Sequence, residues 1–153
     1  MGAMLLGMES PYLPPPIETA TDPVHSAADM CRRWQALMGP LGFGARLLRF
    51  AFMGPDRCLV KFLGEVEIGP SPKRPDIENL MVAMRDLLRD MEPNTTIALL
   101  LTRPGRGGIA RLDRQWATLL TEMATEIGVP IEPIFRANDE SLVQVEREME
   151  VAS

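Results

Sequence analysis

Histidine is nearly missing from this chain, with His25 alone among 153 residues. Imidazole and thiolate are the groups that usually fix a transition metal, so no conventional zinc or iron ligand set is present and no cofactor is expected. The same scarcity leaves no base for a Ser-His-Asp or Cys-His nucleophile unless His25 folds onto a distant partner. Its position at the start of a helical pattern reads as a solvated helix end. Cysteine is equally sparse: Cys31 and Cys58 each lack a second cysteine nearby. That spacing excludes a CxxC motif and a disulfide framework, and it points to a reduced, cytoplasmic setting.

Aromatic side chains make up 5% of the chain and the net charge is -5. Stacking platforms for single strands are therefore wanting, and a phosphate backbone or anionic lipid surface is repelled at long range, which disfavours nucleic acid and membrane as partners. Lysine is confined to Lys61 and Lys73, so the positive charge is almost entirely arginine. No stretch approaches the roughly 18 uncharged apolar residues of a membrane span. The start, "MGAMLLGMES", has neither a basic region nor a long apolar one, and Leu6 stands where a myristoylation signal has Ser or Thr. No export signal or lipid anchor is expected.

What the chain does have is enough apolar residue, 46% of 153, to build one ordinary core without staples. Three consecutive prolines, Pro14 to Pro16, mark residues 1–22 as a Pro-rich flexible arm, and the stretch could serve as a ligand for a partner's groove. A single α/β domain is expected over residues 23–146, followed by an acidic tail at 147–153.

Within the domain, Asp22-Pro23 reads as a helix start, with Val24, Ala27, Met30, Cys31, Trp34, Leu37 and Met38 at helical spacing. "RLLRFAFM" alternates as a strand, "GPDR" turns, and residues 58–68 return as the second strand of a hairpin. Pro75-Asp76 open a second helix carrying Ile77, Leu80, Met81, Met84, Leu87, Leu88 and Met91. Residues 95–101, "TTIALLL", suit a central strand covered on both faces. A third helix places Leu112, Trp116, Leu119, Leu120, Met123 and Ile127 inward and stops at Gly128. Val129 to Phe135 and Leu142 to Val145 read as the last strands. The order is α-β-β-α-β-α-β-β, a mixed sheet flanked by helices, with the methionines as flexible core filler.

The stretch that comes nearest to a site is "LLLTRPGRGGIARLDRQW", residues 99–116. It lacks the Lys-Ser/Thr of a Walker loop and the GxGxxG pattern. "GPLGFGAR", residues 39–46, fails the same test and leads into a strand. A basic loop between a strand and a helix N-terminus can nonetheless hold an anion through backbone N–H groups with Arg103 or Arg106. Glu65 and Glu67 read as a solvated strand face, and Asp113 as a helix-capping carboxylate.

The strand-loop-helix stretch resembles the JAB/MPN domains, especially the RadC type, in which a strand ends in H-x-H-P-S-G and a helix opens with S-x-x-D. Here the corresponding residues are Leu101-Thr102-Arg103-Pro104-Gly105 and Ala110-Arg111-Leu112-Asp113. Leu101 and Arg103 stand where that family has its zinc-binding histidines and Ala110 where it has Ser, the spacing is one residue short, and Pro104 and Asp113 match. The likeness covers residues 26–146 in element order. It implies a JAB or cytidine-deaminase-like sandwich that has lost its zinc, since one aspartate cannot hold the ion and activate a water. The run "RPGRGGIARLDRQWATLLTEMATEIGVPIEPIF" is also similar to a pattern in small proteins of high-GC actinobacteria.

Two functional readings remain open. In the first, Arg103, Arg106, Arg111, Asp113 and Arg114 form a binding surface of a non-enzymatic interaction or regulatory domain, suited to an acidic ligand or a protein partner. In the second, the same loop is a carboxylate or phosphate pocket of a small-molecule-binding protein or enzyme, with Arg103 as clamp and Asp113 as base. A homodimer through the hairpin edge or a Met-rich helix is compatible with either.

Overall fold

A computed structural model describes residues 13–146. The tail expected at 147–153, and residues 1–12 of the expected arm, lie outside the described residues. A 3-10 turn (Ile17–Thr21) precedes α1 (Ala27–Met38), β1 (Leu47–Met53), β2 (Gly64–Glu67), α2 (Arg74–Arg89), β3 (Thr96–Thr102), α3 (Arg111–Ile127), β4 (Phe135–Ala137) and β5 (Leu142–Gln144). The strands form one sheet in the order β2-β1-β3-β4-β5. Only the β3–β4 pair is parallel among the described strands, and α3 is the crossover that a parallel pair requires. The chain is thus an α/β protein with a mixed five-stranded sheet and three helices.

β3 sits at the centre because nothing along it needs water. Ile97 through Thr102 are all buried. Successive side chains point to opposite faces: Ile97, Leu99 and Leu101 join Ile77, Met81 and Met84 of α2 and Trp116, Leu120 and Met123 of α3. Ala98 and Leu100 instead meet Met30 and Trp34 of α1. β1 divides in the same way, with Leu48 and Phe52 on the first face and Ala51 and Met53 on the second. The buried methionines fill these two cores.

Three elements depart from the sequence expectation. First, α1 begins at Ala27, four residues beyond Pro23, because Ser26 is the better cap: its Oγ accepts the Asp29 N–H at 3.1 Å. The carbonyls of Asp22 and Pro23 are instead occupied by Arg33, whose Nε and Nη2 donate to them at 2.9 and 3.2 Å. Ahead of this, within the stretch read as an arm, the 3-10 turn packs on α1 and buries Ala20.

Second, the return strand expected over 58–68 is paired as a strand only from Gly64. Leu59 makes a single bridge to Met53, and a tight turn at Val60–Phe62 then leaves the ladder. That turn lays the Phe62 ring against Phe50 and Phe52, with centroids 6.0 and 5.6 Å away. Third, the strand expected at Val129–Phe135 starts only at Phe135. Pro130 and Pro133 lack the N–H a ladder needs, so this approach makes one bridge, Ile97 to Ile131. It is held instead by Glu132, which accepts Arg57 Nη1 and Nη2 at 2.8 and 2.9 Å and the Thr96 hydroxyl at 2.6 Å. Among the described residues, no helix is long and apolar enough to cross a membrane.

Gly64 lies directly under the Phe50 ring, where a Cβ would collide with three ring atoms. Gly64→Ala should therefore force Phe50 off Phe52 and Phe62 and destabilise the fold by about 1–3 kcal/mol. Urea unfolding checks this, and an unchanged midpoint would show that the ring moves freely.

Candidate functional site

The loop after β3 returns to the sheet through a buried ionic knot. Asp113, at the third position of α3, is 3% exposed. Its Oδ2 accepts the Ala110 N–H at 2.8 Å, half of a capping box whose other half alanine cannot supply. Arg103, just past the end of β3, grips the same carboxylate bidentately, Nε to Oδ1 and Nη2 to Oδ2, both at 2.9 Å. Arg136 of β4 approaches Oδ2 more loosely, at 3.4 Å. One carboxylate thereby joins the end of β3, the start of α3 and the neighbouring parallel strand.

The electrostatics follow from that geometry. Burial raises the pKa of Asp113, but the hydrogen bonds from Arg103 and Ala110, with the charges of Arg103 and Arg136, outweigh it and leave the carboxyl below its ordinary value. Arg103 is raised, chiefly by its hydrogen bonds to Asp113. Arg136 is fully buried and pushed down by desolvation. The opposite signs agree with the distances: Asp113 is first of all the partner of Arg103. Four donors on its two oxygens and a lowered pKa make Asp113 a weak proton acceptor.

A second set of carboxylates fills the glycine loop. Gly105 and Gly107 have φ of 103° and 99°, values open to glycine. The Gly105 N–H donates to Asp139 Oδ2 at 2.9 Å and the Gly107 N–H to Glu140 Oε1 at 2.5 Å. Arg106 pairs with Glu140 at 3.3 Å, on the surface. The β4–β5 turn that carries both acids is pinned by buried Asn138, whose Nδ2 donates to the Gly107 carbonyl at 2.9 Å.

The five residues picked out in the sequence thus divide. Arg103 and Asp113 are locked on each other, Arg106 is held by Glu140, and Arg111 and Arg114 are exposed on the opening turn of α3 with no ion pair to another described residue. Sequence reasoning missed Arg136, Asn138, Asp139 and Glu140. A lone arginine inside "PIFRA" was the available signal. His25 is exposed, and its backbone N–H bonds to Asp29. Glu65 is exposed and paired with Arg49 at 2.8 Å. Among the described residues, no group of three or more His, Cys, Asp or Glu side chains is placed to hold a metal ion.

Comparison with protein-family models, curated proteins and solved structures finds no match for the chain.

Replacing Asp113 with Asn removes the charge that balances two largely buried guanidinium groups, and breaking such a set by one partner costs about 3–5 kcal/mol. Urea unfolding at neutral pH should show that loss. A carboxyl lowered in the fold contributes stability above its unfolded value, lost as pH falls through the folded one. Asp113 and Glu132 are both lowered, so the wild-type protein should weaken progressively below about pH 4. Asp113→Asn should show a shallower acid loss. Equal slopes for the two proteins would mean that the knot does not govern acid stability.

Proposed function

We propose that this domain is a non-enzymatic interaction module that holds an acidic segment of a partner protein on the surface running from Arg106 to Arg114. The observation that carries this reading is the placement of Arg111 and Arg114. Both lie exposed at the N-terminal end of α3, without a carboxylate partner among the described residues. Cations are disfavoured at a helix N-terminus, where the dipole is positive. Two arginines there oppose the helix's own stability, and a conflict of that kind between local preference and sequence is expected where a surface serves a ligand.

The rest of the loop supports the division of labour. Arg103 and Asp113 shape the loop from beneath, and Arg106, Arg111 and Arg114 are left to face solvent. We further propose that this arrangement is a JAB/MPN-like loop without its zinc, on the likeness carried by Pro104 and Asp113. In that reading Arg103, standing at a histidine position, supplies the positive charge that keeps Asp113 ionised. A reduced, cytoplasmic setting is part of the same proposal.

The test is fluorescence anisotropy with a labelled peptide rich in Asp and Glu. The wild-type protein should bind it with an affinity that falls as salt rises, since the contacts are between exposed charges. The double variant R111E/R114E should bind about tenfold more weakly or worse, the equivalent of one charge-assisted contact of ~1.4 kcal/mol. Its thermal stability should hold or rise, because acidic residues suit a helix N-terminus. Unchanged peptide affinity in a folded variant would remove these arginines from the function.

A further inference from the structure

The proposed acidic partner would meet a competitor already in place. We infer that Asp139 and Glu140 are an intramolecular stand-in for the partner's acidic residues, occupying the glycine-loop cradle and displaced from it on binding. The inference rests on the interaction-module reading and adds to it the chemistry of the ligand and a built-in control.

The cradle is described by its donors. Gly105 and Gly107 present their N–H groups to Asp139 and Glu140 at 2.9 and 2.5 Å, and the Arg106 guanidinium reaches the second oxygen of Glu140 at 3.3 Å. Backbone N–H groups aimed outward by a glycine-containing turn make an anion-binding concavity. Its occupants are the carboxylates of two consecutive residues. The shape therefore fits an adjacent Asp-Glu pair on a peptide.

The occupants lie on the surface, where water can replace their contacts. Arg106 is 76% exposed at its side chain and Glu140 39%, and an ion pair so open to water contributes little. Their release would not unravel the turn that bears them. Asn138 Oδ1 accepts the Glu140 and Ser141 N–H groups at 3.0 and 2.9 Å, and the Asp139 N–H donates to the Gly105 carbonyl at 2.8 Å. None of these bonds uses the Asp139 or Glu140 carboxylate. Asp139 has one further contact, accepting the Phe43 N–H at 3.3 Å. A ligand carrying two adjacent carboxylates would thus exchange like for like, and its apparent affinity would be reduced by the fraction of molecules whose cradle is filled.

The probe is a labelled peptide carrying the chain's own Asn-Asp-Glu-Ser sequence in tandem, titrated into the full-length protein. D139N/E140Q keeps the shape of both side chains and removes their charge. It should bind the peptide about tenfold more tightly than the wild type, and adding R106E to that background should reverse the gain. If the wild type binds, R111E/R114E weakens that binding and D139N/E140Q leaves it unchanged, the stand-in is refuted and the interaction reading stands. If neither the wild type nor D139N/E140Q binds, both fall.

A measurement on the unaltered protein guards against misfolding of the variant. Peptide saturation should shift the side-chain carboxyl carbon resonances of Asp139 and Glu140 and the amide resonances of Gly105 and Gly107 with one midpoint. Peptide bound with those resonances unmoved would overturn the inference.

Discussion

The carboxylate of Asp113 is the point on which the rest of this structure turns. Its oxygens take hydrogen bonds from the end of β3 through Arg103, from the N-cap of α3 through Ala110, and at longer range from β4 through Arg136. A parallel strand pair has no tight turn to set its register, and its connection must cross over through a helix. Here the carboxylate fastens the first loop of that connection at both its ends: where the chain leaves β3, and where it enters α3. With two guanidinium groups beneath the loop, an alternative packing that exposed Asp113 would strand buried positive charge. The ionic set thus favours one arrangement of the loop.

Charge on the loop is arranged in layers of decreasing commitment. Arg103 and Arg136 lie beneath the surface and are tied to Asp113. Arg106 lies on the surface and is tied, weakly, to Glu140. Arg111 and Arg114 are exposed without a partner among the described residues. A protein with a net charge of -5 that concentrates arginines here presents a local field opposite in sign to its mean. Under the proposed function that contrast would orient an acidic partner, and the overall charge would repel a phosphate backbone at long range.

Periodicity made much of the fold legible. The apolar faces of α2 and α3, the twofold alternation of β1 and the doubly buried β3 could be read because each repeats a local rule. The errors fell where a single residue overrode the pattern. Ser26 took the cap from Asp22-Pro23, Phe62 drew its turn out of the ladder, and Pro130 and Pro133 delayed β4. The turn between β3 and α3 is legible from its glycines, but the pairing of its side chains is not. Arg103 lies just past β3, Asp113 in α3 and Arg136 in β4, and the acids that fill the cradle come from a turn more than thirty residues downstream of Gly105. No spacing rule connects them.

The same distinction explains why the glycine loop misleads when taken alone. Its composition is that of an anion cradle, and in the fold it does hold anions, those of Asp139 and Glu140. A cradle filled from within differs from an empty one in a physical way: its backbone donors are already satisfied, so an arriving ligand gains only the difference between its own contacts and those it replaces. Small monovalent anions gain little from such an exchange. A chain carrying adjacent carboxylates gains from both positions at once, and from Arg111 and Arg114 if it continues along α3. If the proposed function holds, selectivity for an extended acidic segment over a free anion would follow from the occupied state itself.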